Sequence, residues 1–370
     1  MSGEWTFQGT EQTIGPGVAG GTTPPELPDR YEDRGLIGAG SMGEVRRVYD
    51  QHLRREVAMK IIAWGLADTP RARSRFIAEA NLSARLQHPG IVPVHDRGVS
   101  VRGRAWFTMP LVRGHTFNAL LAELHVAVSQ GSWQTTPSGW TFRRLLSVLG
   151  TACDAVAYAH SEGVIHRDLK PGNIMVGAFG QVQVMDWGIS GLLTGPEDGL
   201  PGIQIGVSGT PAFMAPEQAD GSPDAQGPWT DIYALGTILF VLLTGQAPYH
   251  GDPAQILACI RNAETSPSVI DSIPPGHPRL AEPLVRLCEE AMARRSEDRP
   301  RRALDVARRI KAWLDGELRR DQARKMVHDA RPDKERAIAL RTDADGLRQA
   351  SDVLLAPLPP NAPVARKAAA

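Results

Sequence analysis

The sequence predicts an α+β fold with two lobes: a small β-rich N-terminal lobe with one main helix, and a larger, mainly helical C-terminal lobe. Over positions 31–109, short β-type runs alternate with turn residues around a single helical stretch at 70–86. Over 142–156, apolar residues recur at the spacing of the buried face of a helix. We therefore expect the lobes at about 30–112 and 113–314.

Two terminal regions flank these lobes. Residues 1–29 combine Gly and Pro with almost no apolar periodicity, so a disordered N-terminal tail is expected. Residues 315–350 are charged and favour helix, although Pro332 is expected to interrupt it and no heptad repeat is apparent. We interpret this extension as an exposed helix or helix pair, with a docking role as the alternative. Residues 351–370 are rich in Ala and Pro and are expected to be a disordered tail.

Composition argues against several classes of protein. The 370 residues include 41 basic and 41 acidic side chains, so no electrostatic attraction to nucleic acid or to an anionic membrane is expected. The longest apolar run, 232–243, is shorter than the roughly 20 residues of a membrane helix, and no signal peptide is visible. Cys153, Cys259 and Cys288 form no CxxC pair and are expected as small core residues in a reducing compartment. We therefore expect a soluble, cytoplasmic protein without a membrane span.

The segment Gly-Ala-Gly-Ser-Met-Gly-Glu-Val at 38–45 is a glycine-rich loop. Such a loop also opens dinucleotide-binding folds, but there it leads directly into a helix. Here residues 45–49 continue as a strand, and the next strand brings Lys60. A glycine hairpin lets backbone amides approach phosphates closely, and Val45 can press on a base. The pattern therefore favours a hairpin that covers the phosphates of a nucleotide.

Lys60 lies in a β-type run, Val-Ala-Met-Lys at 57–60. A single lysine would by default extend from an edge strand into solvent. Glu79, in the helix that follows, offers the counter-charge that would hold the ammonium in place. A pair of Lys60 and Glu79 would aim the ammonium at the α- and β-phosphates of a nucleotide.

The run His-Arg-Asp-Leu-Lys-Pro-Gly-Asn at 166–173, followed by an Asp-Trp-Gly triplet that begins at Asp186, carries the clearest chemistry. Phosphoryl transfer needs an aligned hydroxyl and metal ions that neutralise phosphate charge. Asp168 can accept the hydroxyl proton, and Lys170 can reach the γ-phosphate. Asn173 and Asp186 offer the oxygen ligands that Mg²⁺ prefers. A polar turn whose residues merely cap one another would not need all these residue types in this order.

These motifs resemble those of the eukaryotic-like (Hanks-type) Ser/Thr protein kinases, above all the bacterial ones, over about 31–314. The resemblance extends to Gly-Thr-Pro-Ala-Phe-Met-Ala-Pro-Glu at 209–217, to Asp-Ile-Tyr-Ala-Leu-Gly at 231–236 and to Arg-Pro at 299–300. It implies the two-lobed protein kinase fold and a signalling role. It also implies ATP and Mg²⁺ (or Mn²⁺) as cofactors, and protein Ser/Thr hydroxyls as acceptors.

The same resemblance assigns roles to individual residues. Catalysis would fall to Asp168, Lys170, Lys60 and Glu79, and metal binding to Asn173 and Asp186. The ATP-binding residues would be Gly38, Ala39, Gly40, Gly43, Val45, Ala58, Lys60, Met109, Pro110 and Val112. Glu217 and Arg299 are expected to form a buried ion pair, and Asp231 is expected to bond the catalytic-loop backbone. Lys170 together with Thr210 of the substrate loop favours Ser/Thr over Tyr as the acceptor.

Three features depart from the family pattern. Trp187 replaces the usual Phe after the metal-binding Asp. We therefore expect a changed free-energy difference between the active and inactive states of the protein, with the chemistry intact. Pro110 follows Met109, the gatekeeper position; it lacks an N–H but keeps the carbonyl that accepts from the adenine amino group. Val112 can supply the other contacts to adenine. The loop at 122–140 is longer than the family minimum.

Regulation is expected through Arg167, which precedes the catalytic aspartate. In the family such an arginine often pairs with a phosphorylated residue of the activation loop. Thr194 and Ser208 are the available hydroxyls in that loop. Autophosphorylation there, through a transient homodimer, is predicted to raise activity.

Two other functions are compatible with parts of this pattern. A pseudokinase scaffold predicts damage at Lys60, Asp168, Asn173 or Asp186, and all four residue types are intact. A small-molecule phosphotransferase should lack the Gly-Thr-Pro and Ala-Pro-Glu elements, and both are present. Transfer to a protein hydroxyl is therefore the favoured hypothesis.

Overall fold

The N-terminal lobe is built on a five-stranded antiparallel sheet. The computed structural model of the protein describes residues 27–40, 42–129, 131–187, 191–192, 210–355 and 363–365. The strand order is β1-β2-β3-β5-β4, with β1 (Tyr31–Gly40), β2 (Gly43–Asp50), β3 (Arg55–Ile62), β4 (Asp96–Val99) and β5 (Ala105–Pro110). Two helices connect β3 to β4, namely α1 (Trp64–Ala67) and α2 (Pro70–Arg85).

Alternation along β3 gives the sheet two packed faces. Met59 and Ile61 lie on one face and pack with Trp106 of β5. Helix α2 covers the opposite face, where Phe76 lies 5.2 Å from Phe107 between ring centroids. Because α2 packs on this second face of the sheet, its polar residues can reach the β3 side chains that point to the same face.

The C-terminal lobe is mainly helical, which confirms the predicted fold class. Its helices are α3 (Phe117–Ala127), α4 (Phe142–Ser161), α5 (Pro216–Ala219), α6 (Pro228–Thr244), α7 (Pro253–Asn262), α8 (Glu282–Ala291) and α9 (Ala303–Leu355). Strands β6 (Gly114–Thr116), β8 (Ile174–Gly177) and β9 (Val182–Val184) form a small antiparallel sheet. Strand β7 (Val164–Ile165) pairs with β10 (Gly191–Leu192).

Helices α4 and α6 form the centre of this lobe. Thr141 caps α4 by accepting a hydrogen bond from the backbone of Arg144, and the apolar face predicted for this helix is buried throughout. In α6, every residue from 230 to 244 is buried, so this helix is enclosed on all sides. Gly236 permits the close approach of α8, because a Cβ there would lie 2.8 Å from the Cβ of Ala291.

Three detailed expectations about the chain are wrong. Helix α9 continues through Pro332, because a proline removes one backbone hydrogen bond but can bend a helix without ending it. Residues 351–355 belong to α9, so the last segment is not wholly without structure. Cys259 is exposed, because α7 turns Ile256 and Ile260 inward instead.

The chain divides into two compact units, Met1–Ala312 and Trp313–Ala370. The first unit contains both lobes, and the second contains the greater part of α9. Most of the N-terminal segment 1–29 lies outside the described residues, as do 356–362 and 366–370.

Candidate active site

Lys60 lies between two carboxylates at the junction of the lobes. Its Nζ is 2.6 Å from Glu79 Oε1 and 3.1 Å from Asp186 Oδ1. Strand β3 supplies the lysine, α2 supplies the glutamate, and the segment after β9 supplies the aspartate. Burial by itself lowers the pKa of Lys60, but the charges of Glu79 and Asp186 outweigh it and hold the pKa above its usual value. The ammonium is therefore a fixed positive charge in this cleft.

The residues expected to contact adenine and phosphates share one face of the sheet. The register sets Gly38 opposite Val45, and Val45 opposite Lys60. Ala58 lies two residues before Lys60, on the same face of β3, and pairs with Met109. The next hinge positions, both half-buried, are Pro110 and Val112.

The glycine hairpin borders this face. Ala39 pairs with Glu44, and Gly40 pairs with Gly43 at the turn between β1 and β2. A Cβ at Gly43 would lie 2.0 Å from the carbonyl oxygen of Ile61, so only glycine allows β2 to approach β3 here. The glycine therefore serves the packing of the sheet as well as the approach of a ligand.

A buried arginine that sequence analysis missed ties the glycine hairpin to the sheet. Arg104 is 3% exposed and donates to the Ile62 carbonyl from Nε at 2.8 Å and from Nη2 at 2.6 Å. The same Nη2 donates to Glu44 Oε1 at 2.9 Å, while Arg46 donates to Glu44 Oε2 at 3.1 Å. The ring of Trp64 lies 4.5 Å from the Arg104 guanidinium. No sequence motif indicates Arg104, because its role depends on the positions of β2, β3 and β5 together.

Asp168 lies at the centre of a hydrogen-bonded cluster. Its Oδ1 accepts from the Thr210 backbone N–H at 2.9 Å and from the Thr210 hydroxyl at 3.2 Å. Lys170 Nζ lies 3.3 Å from Asp168 Oδ2 and donates to Thr210 Oγ1 at 2.9 Å. Asn173 Nδ2 donates to the Asp168 backbone carbonyl at 2.8 Å. These bonds orient the carboxylate and keep a positive charge beside it.

Asp231, at the start of α6, holds the backbone of the catalytic loop 166–173. It is fully buried and accepts from the backbone N–H groups of His166 and Arg167, each at 2.8 Å. His160 Nε2 lies 2.8 Å from the same carboxylate. Burial acts to raise the pKa of Asp231, but the interactions with His160 and His166 outweigh it and lower the pKa. Arg167 has a φ of 67°, a left-handed conformation that these bonds help to hold.

Asp186 has a φ of 58° and a side chain that is 50% exposed. The charge of Lys60 lowers the pKa of Asp186. Trp187, the unusual residue of the Asp-Trp-Gly triplet, is buried and its ring centroid lies 4.6 Å from that of His166. Its Nε1 donates to the Val184 carbonyl at 3.3 Å. The larger aromatic side chain is thus accommodated with its N–H satisfied.

Asn173 and Asp186 fit a site for a divalent cation. The Met185 backbone N–H donates to the Asn173 carbonyl at 2.8 Å, which holds the two segments together. Because the Asn173 amide nitrogen bonds Asp168, the amide oxygen is the end left for a cation. Within the described ranges, no cluster of three or more His, Cys, Asp or Glu side chains could hold a metal by itself. Further ligands would therefore come from phosphate oxygens or water.

Glu217 and Arg299 form a bidentate ion pair below the catalytic loop. Arg299 Nη1 lies 2.8 Å from Glu217 Oε1, and Nη2 lies 2.9 Å from Oε2. The Arg299 side chain has no exposed surface, and it also donates to the backbone carbonyls of Trp229, Ala293 and Arg294. The pair therefore links the start of α5 to the segment that precedes α9.

Arg167 is the regulatory candidate that the structure describes. Its backbone carbonyl accepts from Gln218 Nε2 at 2.7 Å, and its buried Nε has no hydrogen-bond partner among the described residues. Burial lowers the pKa of Arg167 against the opposing charge of Asp231. Thr194 and Ser208, the predicted phosphorylation sites, lie outside the described residues.

The relatives found by comparison with known proteins are protein kinases. The protein kinase domain family model matches residues 31–309. Serine/threonine-protein kinase PknD of Protochlamydia amoebophila is 38% identical over 239 residues, which cover 61% of this chain and 24% of the relative. Serine/threonine-protein kinase PknB of Mycobacterium tuberculosis is 34% identical over 315 residues, which cover 84% and 46%. The crystal structure of the Mycobacterium tuberculosis PknI kinase domain has a TM-score of 0.57 at 23% identity, covering 79% of this chain and 99% of that one.

The chain belongs to the protein kinase family. The family model spans both lobes, and the PknI likeness supports the fold alone. The chain spans from about a quarter to about half of the length of the curated relatives named above. In the described part of the chain, no helix combines the length and the apolar character needed to cross a membrane.

Proposed function

We propose that this chain is an ATP-dependent Ser/Thr protein kinase that transfers the γ-phosphoryl group of ATP to protein hydroxyls in a signalling role. The observation that carries the proposal is the contact of Lys60 with both Glu79 and Asp186. That contact joins β3, α2 and the metal-binding segment in the arrangement that phosphoryl transfer requires. The Ser/Thr kinase names of the relatives support the same class of acceptor.

Each residue of the cluster has a chemical task in this proposal. Lys60 would hold the α- and β-phosphates. Asp168 would orient the acceptor hydroxyl and take its proton as the hydroxyl oxygen bonds to the γ-phosphorus and the bond from that phosphorus to ADP breaks. Lys170, 3.3 Å from Asp168, would stabilise negative charge on the transferred phosphoryl oxygens. Mg²⁺ (or Mn²⁺), held by Asn173 and Asp186, would neutralise the phosphate charge.

Serine or threonine as the acceptor is supported by the contact of Lys170 with Thr210. Thr210 bonds both Asp168 and Lys170, so the segment that docks a polypeptide is attached directly to the catalytic carboxylate. A pseudokinase scaffold would not need this attachment.

A cytoplasmic location remains a prediction from the sequence.

Arg167 supports a proposal that the kinase activates itself by phosphorylation. Among the described residues its buried Nε has no hydrogen-bond partner, and a phosphate on the activation loop would supply one through a charge-assisted hydrogen bond. We expect mass spectrometry of protein incubated with ATP and Mg²⁺ to find phosphate at Thr194 or Ser208. Phosphate-free peptides across 188–211 would contradict this mode of regulation and leave the transfer reaction itself in place.

The central test compares the wild type with Asp168→Asn, using labelled ATP and a generic protein substrate. We expect the wild type to transfer phosphate and the variant to lose activity by about a hundredfold or more, since proton transfer by a positioned base contributes roughly 10²–10⁴ in rate. Asn keeps the size of the side chain, so circular dichroism should show an unchanged fold. Equal phosphate transfer by the two proteins would remove Asp168 from its proposed role.

A further inference from the structure

The exposed part of α9 carries a seven-residue repeat. Every residue from 318 to 353 is exposed. One position of the repeat is alanine four times in succession, at Ala323, Ala330, Ala337 and Ala344. Three residues after each alanine comes a second position, occupied by Met326, Asp333, Leu340 and Leu347. The repeat does not stand out in the sequence, because alanine fills half of it and Asp333 interrupts the larger residues.

These two positions form one stripe along the helix, hereafter the α9 seam. Residues at the first and fourth positions of a heptad meet on the same side of a helix and are the core positions of a coiled coil. The larger apolar members are strongly exposed, at 73% for Met326, 69% for Leu340 and 73% for Leu347. The exposed part of α9 gains little stability from packing within the chain, so a stripe of four alanines and three larger apolar residues, interrupted only by Asp333, offers a surface for a partner helix.

We infer that the α9 seam pairs with the α9 seam of a second copy of this chain in an antiparallel coiled coil. In an antiparallel pair, the first heptad position of one helix faces the fourth position of the other. If Leu340 faces the second copy's Ala337, then Leu347 faces Ala330 and Asp333 faces Ala344. The two seams then overlap over residues 330–347, and within that overlap each large side chain meets an alanine.

The same alignment avoids a conflict that a parallel pair would create. Two parallel copies would set Asp333 against Asp333, a repulsion between like charges in the seam. The antiparallel pair sets it against alanine and places Arg336 of each helix near the second copy's Asp343, which makes two opposite-charge contacts. At the other edge, Lys334 comes near the second copy's Arg341, an unfavourable contact of the kind that solvent weakens at a surface. Pro332 falls on the outer side of the helix, away from the seam.

The first test measures the mass of the full chain in solution by sedimentation over a range of concentrations. We expect the wild type to form a dimer and the double variant Leu340→Glu/Leu347→Glu to be monomeric. Ile338→Glu is the matched control, because Ile338 is an exposed apolar residue of the same helix, at 57%, outside the seam. We expect this control to remain dimeric. A monomeric wild type, or a double variant as dimeric as the control, would overturn the inference.

The second test determines the orientation of the helices. In a Cys259→Ser background, which removes the exposed native thiol, Ala337→Cys lies near the two-fold axis of the antiparallel pair and should be crosslinked by a short bismaleimide. Ala330→Cys should not crosslink, because the two copies of this residue lie at opposite ends of the repeat. Efficient crosslinking of both would show a parallel pair and overturn the antiparallel alignment. Neither test measures phosphate transfer, so their outcome is independent of the proposed function.

Discussion

At the scale of single residues, the buried Asp231 carboxylate controls the geometry of the catalytic loop. It bonds the backbone N–H groups of His166 and Arg167 and lies beside His160, with no exposed surface. We expect Asp231→Asn to lower the free energy of unfolding by about 2 kcal/mol at pH 7, since hydrogen bonds to a charged group contribute roughly 1.5–3 kcal/mol. Urea unfolding of both proteins measures this difference.

The pH dependence of that difference tests the charge itself. The pKa of Asp231 is lower in the folded protein than its ordinary value of 3.8, so ionisation stabilises the fold. This contribution is fully present well above pH 4 and is lost as the pH falls through the lowered pKa. The difference between wild type and Asp231→Asn should therefore narrow between about pH 5 and pH 3. A constant difference over this range would mean that the Asp231 charge does not stabilise the fold.

The sequence predicts those site residues whose chemical role can be inferred from residue type and local sequence, without knowing which residues lie near them in the fold. Asp168 and Asn173 stand in one short run and Asp186 opens the triplet that follows it, and these residue types in this order predict phosphoryl transfer. The sequence does not indicate the bond of His160 to Asp231, because it joins residues 71 positions apart. Arg104 could not be recognised at all, since its main acceptor is a backbone carbonyl.

At the scale of elements, Arg104 holds the end of β3 and the start of β2 together. Strand β2 is one arm of the glycine hairpin and β3 pairs with it, so we expect Arg104→Met to loosen the hairpin and raise KM for ATP. A loss of about 1–1.4 kcal/mol of hydrogen-bond free energy corresponds to roughly a fivefold to tenfold rise in KM for ATP. The effect on kcat should be smaller, because Arg104 does not touch the catalytic loop. Steady-state kinetics with varied ATP measure the two constants separately.

Two companion variants distinguish positioning from general loss of stability. Arg104→Lys keeps the charge and one hydrogen bond, so KM should return part of the way towards the wild type. Arg34→Met removes another arginine of the same lobe, exposed and paired with Glu32, and should leave KM unchanged. A rise of KM in Arg34→Met equal to that in Arg104→Met would contradict a specific role for Arg104.

The sequence predicts helices and strands best where the apolar residues follow a strong periodic pattern and only one face of the element is buried. The buried face of α4 follows directly from its apolar spacing. A proline weakens a helix locally and so predicts a break at Pro332, yet α9 passes through it. The residue type of Cys259 predicts a core position, and only the packing of α7 shows which face is outward.

At the scale of the whole molecule, the active site is assembled from both lobes. Lys60 and Glu79 come from the N-terminal lobe, whereas Asp186 and Asn173 come from the C-terminal lobe. The lobes also meet where the Val184 backbone N–H donates to the Gly90 carbonyl at 2.8 Å. A ligand that contacts residues of both lobes should therefore stabilise the two lobes together.

We expect Mg²⁺ and ATP together to raise the Tm of the wild type by roughly 5 °C at an ATP concentration about 100 times Kd, because such binding adds about 2.7 kcal/mol. Asp168→Asn should retain the rise in Tm, because the role proposed for Asp168 concerns the acceptor hydroxyl and not ATP. Asp186→Asn should lose most of it, as should the wild type in EDTA, because Asp186 and Asn173 would hold the Mg²⁺ that neutralises the phosphate charge in the proposed site. Scanning calorimetry of these proteins separates binding from transfer. If neither the wild type nor Asp168→Asn shows a rise in Tm, the cleft does not bind ATP. The kinase proposal then fails at its first step.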